Sequence, residues 1–131
     1  MAKFERTIPL LVDEDIPAAH DFLVKAFGFA SGGVMRNAEG QAVHGEVRIG
    51  DTPVWLHRVA PEHGLAPTTA GSGLVVFVDD VDAHFRLATA AGAHTDSEPI
   101  DQPYGQRDYG ARDLEGHRWW FASPLKAQNN A

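Results

Sequence analysis

Asp113-Leu114-Glu115-Gly116-His117-Arg118-Trp119-Trp120-Phe121 decides how this chain is read. An acidic residue and a glycine ahead of a dense aromatic run mark a tight turn entering a buried strand. Alternation along that strand sends Trp119 and Phe121 to one side and Trp120 to the other. The side that carries Trp120 is the one whose chemistry has to be explained.

Working outward, the chain reads as two halves of one design. Leu10-Leu11-Val12 leads through Asp13, Glu14 and Asp15 into a helical pattern, and Val75-Val76-Phe77-Val78 leads through Asp79 and Asp80 into another. Asp15 and Asp80 are N-caps by type, since a carboxylate there accepts from free backbone N–H groups. Pro17 suits a first helical turn. Ile16, Ala19, Phe22, Leu23, Ala26 and Phe27 recur at helical spacing up to Gly28, and Val81, Phe85, Ala88 and Ala91 do so up to Gly92. Strands are expected near 30–35, 41–49 and 52–59, and again near 94–99, 106–112 and 117–122. Each half therefore reads β-α-β-β-β. The first spans about 4–60 and the second about 72–124, joined by a linker at 61–71 and followed by a frayed tail at 125–131. The fold class is α+β, with tandem βαβββ modules in a single domain.

With 131 residues, one domain with a real core is affordable in size. The net charge of −7 is spread over both halves, with no basic stripe, which argues against nucleic acid as a partner. No apolar run approaches the ~18 residues of a membrane span, and residues 1–6 lack the apolar stretch of a signal peptide. Cysteine is absent, which excludes disulfides, thiolate catalysis and cysteine zinc sites. These features fit a cytoplasmic protein. There is no phosphate loop, no dinucleotide fingerprint and no nucleophile elbow.

A duplicated βαβββ unit of this length resembles the vicinal oxygen chelate superfamily, with its glyoxalase/bleomycin resistance/dihydroxybiphenyl dioxygenase fold. The most specific piece is Tyr104-Gly105-Gln106-Arg107 followed by Asp113-Leu114-Glu115-Gly116-His117-Arg118-Trp119. It is similar to the Tyr/Trp-Gly-x-Arg … Asp-Pro-x-Gly-His-x-Trp signature of a glyoxalase/bleomycin-resistance-like branch, with Leu114 in the place of proline. The resemblance implies curved mixed sheets around a groove, usually inside a homodimer, and a small-molecule ligand. Metal-dependent members draw ligands from the first, fourth, fifth and last strands. Those positions fall here on Ile8, His57, Gly73 and Trp120. Only His57 can bind a metal, whereas catalytic zinc typically needs three protein ligands, so the usual metal site and cofactor are not expected.

The candidate ligand-binding residues follow from strand alternation. Trp55 and His57 share one face, His44 and Glu46 another stretch of it, and Phe77 and Trp120 belong to the second half. The tryptophans and Phe77 offer flat surfaces for stacking, and His44, Glu46 and His57 offer polar contacts. His57 is the candidate base, because imidazole titrates near neutrality. Tyr104 is expected on a loop at the groove mouth. Arg107 is a candidate clamp for an anionic group, or else a surface ion pair. Acidic family members bind cationic antibiotics, so the resemblance implies drug binding as one role. The alternative is a lyase, isomerase or dioxygenase, either metal-free or with a divalent ion displaced onto His44, Glu46 and His57.

Overall fold

The computed structural model describes residues 2–67 and 71–125. The first half forms β1 (Leu10–Val12), α1 (Ile16–Phe27), β2 (Ala30–Arg36), β3 (Ala42–Ile49) and β4 (Thr52–His57). The second forms β5 (Gly73–Phe77), α2 (Val81–Ala90), β6 (His94–Thr95), β7 (Ile100–Asp101), β8 (Gln106–Arg112) and β9 (Arg118–Pro124). The sheets have the orders β1-β4-β3-β2 and β5-β9-β8-β6, with β7 also paired to β8. In each, the first strand lies parallel to the last and the remaining neighbours are antiparallel. This is the mixed, duplicated α+β architecture that the half-chain repeat implies. Among the described residues, no helix is long and apolar enough to cross a membrane.

Local chemistry accounts for the helix limits. The Asp15 and Asp80 carboxylates accept from the N–H groups of Ala18 and Ala83, three residues on. Gly28 closes α1 in the left-handed conformation at φ 81°, which a side chain would resist. The strand expected at 94–99 is instead two short pieces. Asp96, Ser97 and Glu98 turn away, and Pro99 has no N–H for a ladder. The linker holds a 3-10 turn, Pro61–His63, closed by the Ala60–Leu65 bridge. Residues 68–70 of the linker and 126–131 of the tail lie outside the described residues. Leu125 is tied down, its N–H donating to the Gly105 carbonyl at 3.0 Å.

One core serves both halves. Val47, Val54 and Leu56 of the first sheet and Tyr109, Trp119 and Phe121 of the second are all buried, with α1 packed between. Phe27 of α1 meets Trp119 and Phe121 edge-on, with centroids 5.7 and 4.9 Å away, an arrangement aromatic rings favour. His84 of α2 spans the halves, one ring nitrogen bonded to the Phe27 carbonyl and the other to the Tyr109 hydroxyl. Burial lowers its pKa from the ordinary value.

The terminal turn is a second junction. Asp113 accepts from the N–H groups of Glu115 and His117 and from the Trp119 indole, which fixes the turn. Gly116 takes φ 92° within it. The Glu115 carboxylate accepts from the backbone N–H groups of Glu14 and Asp15, about a hundred residues away. His117 donates to the Val12 carbonyl and reaches Asp13 at 3.1 Å. Its pKa is raised, chiefly by that contact with Asp13. Burial likewise pushes the Asp113 carboxyl up.

Candidate functional site

Each sheet has one side turned to the helices and one open side. On the open side of the first sheet, cross-strand pairing puts Glu46 beside Trp55 and His44 beside His57, and parallel pairing puts Leu10 beside Trp55 and Val12 beside His57. The four residues expected to share a face do so. Trp55 is pinned there, because its indole N–H donates to Glu46 at 3.0 Å and the His44 ring meets it edge-on at 5.3 Å. The second Glu46 oxygen accepts from Arg48. The Arg48 guanidinium holds the Glu46 carboxyl below the usual carboxylate range. His57 donates from Nδ1 to the Arg58 carbonyl, which leaves Nε2 as the basic nitrogen.

On the open side of the second sheet, Val75, Trp120 and Gly110 form one row, and Phe77, Ala122, Asp108 and Ile100 the next. Phe77 is 58% exposed, while Trp119 and Phe121, one residue either side of Trp120, are fully buried on the helix side. Trp120 lies across its neighbours because they are glycines. A Cβ on Gly73 would come within 2.5 Å of one end of the indole, and one on Gly110 would sit 3.1 Å from its nitrogen. Arg118, two residues back on the same strand, sets its guanidinium 4.7 Å from the Trp120 ring centroid. Asp96 fixes it there through two parallel hydrogen bonds, Nη1 to Oδ1 at 3.0 Å and Nη2 to Oδ2. The same pairing holds the Asp96 carboxyl below its ordinary range.

The family metal set does not fit this chain. Ile8 precedes β1, and Gly73 has no side chain, the space beside it being taken by the Trp120 ring. His44, Glu46 and His57 share a face, but both Glu46 oxygens serve Trp55 and Arg48. Among the described residues, no group of three histidine, aspartate or glutamate side chains is placed to hold a metal.

Arg107 does not reach the open face. Alternation turns it to the helix side with Tyr109, where it bonds both oxygens of Asp82 on α2 and one of Asp101. Tyr104 stands on the loop between β7 and β8, largely exposed, with its hydroxyl donating to Asp108. The two tryptophan groups occupy separate sheets, and among the described residues no hydrogen bond or ring contact joins them. Two features escaped the sequence reading. Asp108, buried on the open face, accepts from Gln102, Tyr104 and Gln106. The Arg118–Asp96 clamp on Trp120 was legible only as an arginine two residues before a tryptophan, with nothing to mark its partner 22 residues upstream.

Residues 6–121 match the family model of the Glyoxalase/Bleomycin resistance protein/Dioxygenase superfamily. TioX from Micromonospora sp. ML1 is 34% identical, with a TM-score of 0.74 over 93% of this chain and 100% of that one. TnmS3, an antibiotic binding protein from Streptomyces sp. CB03234, is 25% identical, with a TM-score of 0.76 over 95% and 98%. The uncharacterized protein Mb0911c of Mycobacterium bovis is 34% identical over 128 residues, 92% of this chain and 84% of its own length. This chain belongs to the glyoxalase/bleomycin resistance protein/dioxygenase superfamily.

Proposed function

We propose that this protein binds a small, flat molecule in a groove built from its open sheet faces, without the metal chemistry of its relatives, and that sequestering an antibiotic-like compound is its role. The observation that carries this is Trp120, a tryptophan laid across two glycines on an open face, where metal-dependent relatives need a ligand oxygen. Trp55, pinned by Glu46 and flanked by His44 and His57, offers a second flat surface. Likeness to TnmS3, an antibiotic binding protein, supports the same reading. Titrating the protein with planar aromatic compounds, cationic and uncharged, should quench tryptophan emission at stoichiometric ligand. Trp120→Ala should weaken binding about tenfold or more, in line with the ~1–3 kcal/mol that stacking on an aromatic side chain contributes. A panel that leaves the emission unchanged would sink the proposal.

We propose that the groove lies within a homodimer. Leu10, Met35, Val75, Phe77 and Ile100 are all exposed on the open faces of the single chain, and apolar surface of this kind favours being covered. Light scattering at micromolar concentration should give twice the chain mass of 14.2 kDa; a monomer would remove this part of the proposal.

A second reading, a metal-free lyase or isomerase, rests on His57. Its Nδ1–H is committed to the Arg58 carbonyl, so Nε2 presents a lone pair on the ligand-facing side. Under this reading His57→Gln keeps ligand binding and abolishes conversion. Recovery of the bound compound unchanged after long incubation with the native protein excludes it.

A further inference from the structure

We infer that the flat ligand of this groove is an uncharged ring system bearing a hydrogen-bond-accepting oxygen, seated so that this oxygen meets the Trp120 indole N–H. The inference rests on the flat-ligand reading above and narrows it, against what the net charge suggests. A chain of charge −7 invites a cationic ligand. The open faces do not repeat that charge. Of the carboxylates carried by the sheet strands, Glu46 is taken by Trp55 and Arg48, Asp101 by Arg107, and Asp108 by three neutral donors that leave it buried. Asp96, just beyond β6, gives both oxygens to Arg118.

What remains without a partner is one donor. Among the described residues, the Trp120 indole N–H has no acceptor, whereas the Trp55 and Trp119 indoles each have a carboxylate. One side of the Trp120 ring already holds a cation, the Arg118 guanidinium. The ring's capacity to attract positive charge is thus used within the chain. A second cation stacked on the same indole would share a ring already engaged by the Arg118–Asp96 pair. A ring with a carbonyl or phenolic oxygen instead gains a partner for the free N–H, near Arg118 and Arg112, its cross-strand neighbour.

The test compares two probes of one skeleton, uncharged acridone with its ring carbonyl and cationic 9-aminoacridine, by fluorescence anisotropy of the probe with the full-length protein. Acridone should bind at least tenfold more tightly. Trp120→Phe keeps a ring but removes the N–H, and should cost acridone about tenfold while costing 9-aminoacridine less than threefold. Arg118→Met releases the Asp96 carboxylate towards the groove, and should weaken acridone and strengthen 9-aminoacridine. Thermal melts of both variants check folding. Equal affinities, a preference for 9-aminoacridine, or a preference unmoved by Arg118→Met overturns the inference and leaves the flat-ligand reading standing. Failure of both probes while other planar compounds quench also overturns it alone. No quenching by any planar compound removes the flat-ligand reading as well.

Discussion

Trp119→Ala lowers the free energy of unfolding by about 3–5 kcal/mol, the cost of emptying a fully buried aromatic position. The loss reaches both halves at once. Phe27 and Phe29 of the first half pack on the Trp119 ring at 5.7 and 5.3 Å, and Phe121 stacks nearly parallel to it. The same truncation strips Asp113 of the indole N–H it accepts, at a position already buried. Urea denaturation followed by far-ultraviolet circular dichroism measures the change. A loss under 1 kcal/mol would mean that Trp119 does not hold the halves together. Its neighbour Trp120 provides the control, since it faces out of the core, and Trp120→Ala should cost stability far less than it costs binding.

His117→Ala is the second large effect, at about 3 kcal/mol. Removing one partner of a buried charged pair leaves the other uncompensated, and here Asp13 is 1% exposed with its second oxygen already lacking a partner among the described residues. The pH dependence carries the sign. The folded His117 pKa is raised, so the pair contributes fully below the ordinary imidazole value and fades as pH rises through the folded one. His84 works in the opposite sense. Its folded pKa is lowered, so its contribution is present above the ordinary value and fades in acid. The clean observable is therefore the difference in melting temperature between native protein and His117→Ala, which should be widest near pH 6 and shrink towards pH 9. A constant difference would show that the charge on His117 contributes nothing.

What was legible in the sequence was local. The caps at Asp15 and Asp80 announce themselves because a carboxylate and the N–H it serves lie three residues apart. The faces of β4 and β9 follow from a period of two, which placed Trp55, His57 and Trp120 on open sides and Val54, Leu56, Trp119 and Phe121 in the core. Arg107 could not be assigned from its motif, because whether it served a ligand or Asp82 depended on where α2 lies over the sheet. The metal trio of His44, Glu46 and His57 met in register as alternation required. The claims of Arg48 and Trp55 on Glu46 were not legible there, because they depend on side-chain conformation rather than spacing. Charge is partly hidden in a similar way: the total is strongly negative, but Arg48, Arg107 and Arg118 pair with Glu46, Asp101 and Asp96.

The docking of the terminal turn also bears on how the chain is made. Glu115 supplies acceptors to the start of α1, and His117 ties down Val12 and Asp13. During synthesis the first module emerges long before either residue exists. Until residues 115 and 117 have emerged, the Glu14 and Asp15 N–H groups are served by water and Asp13 lacks its His117 partner. Contacts this distant in sequence close slowly, because the chain between them must be ordered before they form. The two modules look like copies, yet the first can reach its final state only when the last turn of the second arrives.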